Sequence, residues 1–500
     1  MEVKHTGMDR ENKSVTRSND VYQEDDGEST PLLGKSDQRV QLSKWKPLSQ
    51  LVVLAVVYML GYSPLSTLLN LERILYPDIG IYALVCNFGG SICSLVTASV
   101  IAKHLGAKGS VLLGWVCQAV FIAAHFYMEP YVILPVAFLV GIGHAQAWIT
   151  NAVFVTALGL QYSEITGRPQ GEVMGMFQGI FFAIFQFNGI WGNLISALVL
   201  NSPADDTTGN GSTSHAQGGN LSALCGSNFC PWEDTSGTYI TQPDQYVIYI
   251  ILGCFLGLVG SAFVIALLFL KDVKSTTGDS LHSLGAFLVT VWRLIFKRKM
   301  GLILPAFMFV AIGQTMILTE FITAFVSCEI GIQYNGWTAM FYSGGLILGS
   351  TLTSRLVKHV GWVTLFVFAA CCNAACLLSM LFYEPSGFDS LWFYFLIPFV
   401  SALGDAQWLA TASAYVGHVF PDQKWPVFVT VRSFIYVTFS LVYAYSNFAC
   451  MDTKVYVMLG VVGMALLLSI IFLGITKNWH KSQNTQKIKF VQMPFDLRLA

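Results

Sequence analysis

Long apolar stretches alternate with short polar breaks along most of the sequence. About 20 mainly apolar residues cross a bilayer as a helix, because every backbone hydrogen bond is then made inside the segment. We predict about twelve such spans, six in each half of the chain. They lie near 48–70, 79–102, 110–128, 131–157, 172–200, 246–270, 301–326, 336–354, 362–383, 390–417, 426–449 and 455–476. The pattern therefore predicts an all-α, multi-pass membrane protein.

The composition supports a chain that is covered by lipid. Hydrophobic residues make up 54% of the sequence and charged residues only 11%, whereas a soluble protein carries about 25% charged residues. The net charge of -1 gives no indication of a nucleic-acid partner. We expect residues 1–46, which are polar and charged, to form a disordered cytosolic tail rather than a cleavable signal peptide. Residues 477–500 are predicted to form a second cytosolic tail.

The distribution of basic residues predicts the orientation. If the N-terminus is cytosolic, 25 of the 28 Lys and Arg residues fall in cytosolic segments. The opposite side then receives only Arg73 and Lys454, while Arg432 lies inside a predicted span. This is the asymmetry that the positive-inside rule describes. Both termini are therefore expected to be cytosolic.

One long loop, 201–245, falls on the non-cytosolic side. It contains two glycosylation sequons, which begin at Asn210 and Asn220. It also contains Cys225 and Cys230, the one cysteine pair in this loop. Because that compartment is oxidising, we expect a short disulfide between them. The other nine cysteines lie mostly in predicted spans, where a thiol usually serves as a small apolar group.

The sequence contains an internal repeat. Ser99–Gly106 resembles Ser354–Gly361 at an offset of 255 residues, and each segment follows the second span of its half. In two further matches, Gly89-Gly90 corresponds to Gly344-Gly345, and Gly143-His144-Ala145-Gln146 corresponds to Gly404-Asp405-Ala406-Gln407. Two parallel six-helix repeats are the architecture of the major facilitator superfamily. We therefore predict two pseudo-symmetric six-helix bundles, residues 47–270 and 301–476.

Residues 271–300 are predicted to form a cytosolic linker between the bundles. Apolar side chains recur there at helical spacing, followed by basic residues, at Leu281, Leu284, Leu288, Val291, Trp292, Ile295 and Lys297–Lys299. This pattern is typical of an amphipathic helix in the membrane interface. A cytosolic extension of the seventh span is the alternative.

A second resemblance is more specific. The run Phe181–Gln186 followed by Gly189–Ser196 resembles the fifth helix of the uncoordinated-93 family. Supporting matches are Gly89-Gly90, Gly143 with Trp148, Cys225-Gly226 with Cys230, Cys328 with Gly331-Ile332-Gln333, and Asp405–Trp408. The resemblance implies a major-facilitator-like fold. It also implies a role as regulatory subunit of a potassium channel or as trafficking chaperone of a Toll-like receptor.

Polar residues inside predicted spans are the candidate site. Ionisable groups at bilayer depth are costly, so they usually face the interior of the bundle or a cavity. His144, Glu320 and Asp405 are candidates for a solute or proton site, and Gln146, Gln314 and Gln407 are expected to add hydrogen bonds. Arg432 is expected to reach Asp405. The alternative is that these groups only satisfy one another between helices.

Two functions fit these observations. The first is a non-catalytic accessory or trafficking partner of other membrane proteins, and the second is a secondary transporter of a small solute or ion. The sequence lacks Gly-x-Ser-x-Gly, a phosphate-binding loop and His-Glu-x-x-His, so we expect neither an enzyme nor a cofactor or metal site. The sequence predicts no oligomeric state.

The N-terminal tail contains a candidate sorting signal. Glu28, Leu32 and Leu33 match the acidic dileucine form Glu-x-x-x-Leu-Leu. An adaptor protein binds such a signal in a flexible segment. We therefore predict an endosomal or lysosomal location reached through the plasma membrane, against the alternative that the tail has no signal.

Overall fold

The computed structural model describes residues 33–76, 79–200, 225–232, 243–272, 289, 292–383, 387–419 and 424–491. The helices are α1 (Leu33–Leu75), α2 (Gly80–Ala124), α3 (Pro130–Thr166), α4 (Gln170–Phe185), α5 (Asn188–Leu200), α6 (Gln245–Phe269), α7 (Arg298–Thr315), α8 (Asn335–Phe382), α9 (Leu391–Val419), α10 (Lys424–Ser446) and α11 (Met451–Val491). α7 continues as a π-helix over Met316–Ser327. Short 3-10 turns occupy Gly226–Asn228, Ile332–Tyr334 and Gly387–Ser390.

The prediction of a multi-pass, all-α membrane fold is confirmed. Within the described residues, nine helical segments are long and apolar enough to cross a membrane, and Gly80–Ser94 forms a shorter apolar helix. The other predicted spans, near 336–354 and 426–449, are helical in α8 and α10. α2 and α8 each contain two predicted spans, which explains their length.

The internal repeat is visible in the backbone. α2 is broken at Gly106, where φ is 68°, and α8 is broken at Gly361, where φ is 78°. A positive φ is accessible to glycine at little cost and is strained for other residues. The two glycines are equivalent positions of the repeat, so each half turns its chain between its second and third spans in the same way.

Small residues allow close packing inside each half. A Cβ atom at Gly90 would collide with the carbonyl oxygen of Phe138 on α3, and one at Gly345 would collide with that of Phe399 on α9. Helices in lipid associate through such small residues, which let the backbones approach closely. Gly90 and Gly345 therefore serve packing inside the protein rather than contact with a partner.

The neighbouring glycine provides a matched control. A Cβ atom at Gly89 would meet nothing within 4 Å. We expect Gly90→Ala to lower the free energy of unfolding by about 1–3 kcal/mol through overpacking, and Gly89→Ala to change it little or raise it by less than about 1 kcal/mol. Thermal unfolding of the purified variants measures both effects. Equal melting temperatures for the two variants would contradict this packing.

Among the described residues, the contacts between the two halves include two closely packed helix pairs. α2 packs on α10, where Phe88 stacks on Phe439 with ring centroids 4.6 Å apart. α5 packs on α8, where a Cβ atom at Gly189 would collide with Ser343 Oγ. On α5 the side chain of Asn193 is also buried. Gly189 and Asn193, both in the fifth predicted span, therefore contribute to the core. Trp191 belongs to the same run of residues but is exposed.

The chain divides into two compact units, residues 1–43 and residues 44–500. The predicted bundle boundaries within the second unit stay predictions. The predicted amphipathic helix of the linker lies mostly outside the described residues. Of its side chains, Trp292 is exposed and its ring packs against that of Phe296, with centroids 5.1 Å apart.

Candidate functional site

A cluster of aromatic and basic side chains lies where the halves meet. His144 and Trp148 are one helical turn apart on α3, and the indole Nε1 of Trp148 donates to His144 Nε2 at 3.0 Å. Tyr62 of α1 packs edge-on against the His144 ring, with centroids 4.8 Å apart. From the other half, the Arg432 guanidinium lies 4.9 Å from the centroid of the Trp148 ring. This is cation–π geometry, so Arg432 links α10 to α3.

The predicted Arg432–Asp405 pair is wrong. Both Asp405 oxygens are held within the second half, since Tyr342 donates to one at 2.8 Å and Asn373 donates to the other at 3.0 Å. The Trp408 indole donates to Asn373 at 3.2 Å and fixes that amide. Asp405 therefore faces α8, whereas Arg432 faces the first half. Among the described residues no ion pair joins the two.

Glu320 belongs to a third cluster, in the π-helical segment that follows α7. Lys454 of α11 donates to Glu320 Oε2 at 2.7 Å, and Ser446 of α10 donates to Oε1. The Lys454 and Glu320 side chains are only 3% and 5% exposed. The sequence had placed Lys454 among the loop charges, but it lies buried in the first turn of α11. Glu320 is thus an ion-pair partner within the second half.

The glutamines have separate environments. Gln407 Nε2 donates to the carbonyl oxygen of Gly349 at 2.9 Å, which joins α9 to α8. Gln146 is fully buried on α3, and Gln314 is partly buried on α7. The seven candidate residues therefore do not converge on one place. Asp405, Glu320 and Gln407 hold helices of the second half together, whereas His144 and Arg432 each contact Trp148 where the halves meet.

Sequence reasoning missed a second buried pair. Glu72, near the end of α1, lies 3.1 Å from His125 Nε2, which follows the last residue of α2. The His125 Nδ1 atom lies 2.8 Å from the carbonyl oxygen of Phe121. Both side chains are fully buried. The sequence did contain a signal, because Glu72 and His125 are both ionisable and each lies near the end of a predicted span.

The predicted Cys225–Cys230 disulfide is wrong. Cys225 pairs with Cys328, 103 residues away, and Cys230 pairs with Cys450, 220 residues away. The segment that carries Cys225 and Cys230 lies against the end of the π-helix, where Gly226 contacts the ring of Phe325. It also accepts a backbone hydrogen bond from Met451 at Phe229. Both cysteines are therefore bonded to partners on the second half rather than to each other.

We call the side of the protein that carries Cys225, Cys230, Cys328 and Cys450 the cysteine face. Both bridges run from the segment between α5 and α6 to the second half of the chain. One ends after the π-helix and the other ends between α10 and α11. The two halves are thus covalently joined twice at this face.

Several predicted features lie outside the described residues. These are the sequon residues Asn210 and Asn220 and the sorting-signal residues Glu28 and Leu32. Leu33 is the first residue of α1, and its side chain is not described. Within the described residues no group of three or more His, Cys, Asp or Glu side chains is placed to hold a metal ion.

Solved structures with a similar fold are solute transporters. A crystal structure of the nucleoside transporter NupG matches 86% of this chain and 99% of its own length, with a TM-score of 0.55 and 11% identity. A D-xylose-proton symporter matches 85% and 96%, with a TM-score of 0.56 and 11% identity. At this identity the likeness shows the fold alone. The chain therefore has the major-facilitator fold, as predicted.

Sequence relatives come from a different group. No known family profile matches the chain. Protein unc-93 homolog A of Xenopus laevis is 27% identical over 438 residues, which cover 86% of this chain and 93% of that protein. The Homo sapiens protein of the same name is 25% identical, covering 84% and 92%. The chain is therefore similar to the unc-93 proteins over most of its length, and the predicted resemblance to that family is confirmed.

A more distant relative has a functional name. The putative potassium channel regulatory protein unc-93 of Caenorhabditis elegans is 23% identical over 389 residues. These residues cover 75% of this chain and 54% of that protein. The likeness extends across most of the chain.

Proposed function

We propose that this protein is a non-transporting accessory subunit that regulates or escorts another membrane protein. The observation that carries the proposal is the pair of disulfides between the halves at the cysteine face. Transporters of this fold expose their site alternately to each side by rocking one repeat against the other. The two bridges fasten the segment between α5 and α6 to the second half, and through that segment they would restrain the halves from separating at one face. A transport cycle of that kind would therefore be hindered while the bridges are intact.

The candidate site residues support the same proposal. A solute site needs polar groups that converge on one cavity. Here Asp405 and Glu320 bond to neighbouring helices within the second half. They stabilise the helix arrangement in a solvent where unsatisfied polar groups are costly. The protein would retain the transporter fold, and its membrane-embedded charges would stabilise the structure. The sequence also lacks the enzymatic motifs named above.

We propose a potassium channel as the partner. The support is the name of the C. elegans relative, a putative potassium channel regulatory protein. A Toll-like receptor is the other partner that the family resemblance implies. The partner would contact the lipid-facing surface, because Gly90, Gly189 and Gly345 are used inside the protein.

We also propose an orientation and a location. Disulfides persist in oxidising compartments, so the cysteine face would be lumenal or extracellular and both termini cytosolic. Asn210 and Asn220 lie in the loop that precedes the bridged segment and would be glycosylated on the same side. The motif of Glu28, Leu32 and Leu33 would direct the protein to endosomes or lysosomes.

Two measurements on the same protein test the accessory function. Cross-linking in intact membranes followed by mass spectrometry should recover a potassium channel or a receptor reproducibly. The purified protein in proteoliposomes, with its disulfides intact, should show no saturable flux of nucleosides, sugars or potassium ions. Saturable flux without a reproducible partner would assign the protein to transport instead.

A further inference from the structure

A short helical segment precedes α7 and carries exposed aromatic rings. Residues 292–295 are helical, and Lys297, whose backbone is extended, separates them from α7. Trp292 and Phe296 are 64% and 70% exposed. They are four residues apart, which places them on one side of a helix, and Val289, one turn before Trp292, is also exposed. The segment is therefore not a continuous extension of α7, and its apolar side is left largely uncovered by the described part of the protein.

The opposite side of the segment is fixed to the protein. Leu294 is only 1% exposed and belongs to the hydrophobic core. Its carbonyl oxygen accepts a hydrogen bond from the backbone N–H of Lys297 at 3.0 Å, and Met300 of α7 donates to the carbonyl oxygen of Lys297 at 2.8 Å. The helical stretch that follows, Arg298–Ser327, is long and apolar enough to cross a membrane. The two rings are therefore held at the end of a spanning helix, where tryptophan is enriched because its amphipathic ring suits the lipid head-group region.

Basic side chains surround the exposed rings. Arg293, Lys297 and Arg298 are all exposed. The sequence has no Asp or Glu from residue 280 to residue 319, so no acidic residue of this stretch offsets their charge. Exposed aromatic side chains together with Lys and Arg are typical of amphipathic segments that lie on an anionic membrane surface. The charge of segment 292–298 is therefore complementary to that of an acidic lipid.

The start of the first span has the same composition. Trp45 is 65% exposed, and Lys46 beside it is also exposed. The stretch that begins there, Lys44–Glu72, is again long and apolar enough to cross a membrane. Parallel repeats place the starts of the first and seventh spans on the same side of the bilayer. The positive-inside rule accounts for the basic residues at both places, whereas contact with lipid head groups accounts for the exposed tryptophans as well.

We propose that segment 292–298 lies in the membrane interface and binds the head group of an anionic phospholipid. Trp292 and Phe296 then contact the upper part of the acyl chains, while Arg293 and Arg298 bind the phosphate, for which a guanidinium group offers two parallel donors. Placing this lipid in the cytosolic leaflet rests on the orientation proposed above. The binding itself needs neither a partner protein nor that orientation, so it can fail or succeed independently of the accessory function.

Titration of the full-length protein in neutral detergent micelles tests the binding. Short-chain phosphatidylserine, phosphatidylinositol bisphosphate and phosphatidylcholine are compared by microscale thermophoresis, with inositol trisphosphate as a free head group. At least one anionic lipid should bind more tightly than phosphatidylcholine, and added salt should weaken the binding of that lipid because it screens charge. The anionic lipid with the lower Kd identifies the head group. Equal Kd values for all three lipids, or tighter binding of the free head group than of the lipids, would overturn the proposal.

Matched double variants locate the site. Arg293→Gln with Arg298→Gln removes two charges from the segment, and Arg168→Gln with Lys271→Gln removes two from other exposed positions. We expect the first pair to weaken binding of the favoured anionic lipid about thirtyfold, at about 1 kcal/mol for each charge, and the second pair to change it little. Equal losses in both would show that the lipid follows the net charge of the protein, which contradicts a site at the segment.

A variant of the aromatic side tests the same segment without changing its charge. Trp292→Ser should weaken binding of the anionic lipid and leave that of inositol trisphosphate unchanged, because only the lipid has acyl chains for the ring to contact. This variant also carries the test if the double arginine variant aggregates on size exclusion. Unchanged lipid affinity in the folded Trp292→Ser protein would overturn the placement of the segment in the membrane interface.

Discussion

The two halves should remain joined on a denaturing gel after the chain between them is cut, and they should separate only when the gel is reducing. A protease site inserted after Gly278, between α6 and α7, allows the cut. The expected result follows from the connectivity, because Cys225 and Cys230 precede the cut while Cys328 and Cys450 follow it. The effect is all or none, since a covalent bridge survives denaturation.

Single and double variants identify the bridges. Cys225→Ser should leave the halves joined through Cys230 and Cys450, and Cys225→Ser combined with Cys230→Ser should release them without reduction. Cys254→Ser, at an exposed free cysteine of α6, is the matched control and should behave as the parent. Release of the halves from the cleaved parent under non-reducing conditions would support a local Cys225–Cys230 bridge and contradict the structure.

The second large effect concerns the ion pair between α11 and the π-helix. Glu320→Gln leaves the Lys454 charge buried without its counterion, and Lys454→Met leaves the Glu320 charge in the same state. Breaking a buried pair by removing one partner costs about 3–5 kcal/mol, whereas replacing both partners by uncharged groups is often close to neutral. We expect each single variant to lose about that free energy of unfolding, and the double variant to recover most of it.

Thermal and denaturant unfolding in detergent measures this double-mutant cycle. Glu129→Gln, at an exposed position before α3, is the control and should change the free energy of unfolding by less than about 0.5 kcal/mol. Additive losses in the double variant would show that the two side chains stabilise the protein independently. That result would contradict a direct pair at 2.7 Å.

The fold was largely predictable because its signals are local. An apolar stretch of spanning length predicts a helix wherever it occurs, and Gly106 and Gly361 mark the turns because a positive φ favours glycine. The repeat also predicted which features of the two halves would correspond. Gly90 and Gly345 pack against equivalent positions of α3 and α9.

Partners between distant segments were not predictable in this way. Cys225 and Cys230 are neighbours in sequence, but each is bonded to a cysteine of the other half once the helices have packed. Arg432 and Asp405 were paired because both are charged residues inside predicted spans, and this does not define the direction in which a side chain leaves its helix. Asp405 is directed towards Tyr342 and Asn373, and Arg432 is directed towards Trp148.

The same fold can support different functions. Function depends on the site and on the motions that the chain allows, so a likeness to transporters does not make this chain one. In this chain, four cysteines join the halves, and two buried acidic residues pair with Lys454 and His125.

The separation of the halves at the cysteine face can be measured directly. Tyr131, at the start of α3, and Trp392, at the start of α9, are both exposed and belong to different halves. Spin labels carried there by unnatural amino acids report their distance by double electron–electron resonance. We predict one narrow distance distribution while the disulfides are intact, and a broader or longer one after Cys225→Ser with Cys230→Ser. Two distances in the oxidised protein, interconverting as in a transport cycle, would contradict the proposal that the halves stay closed at this face.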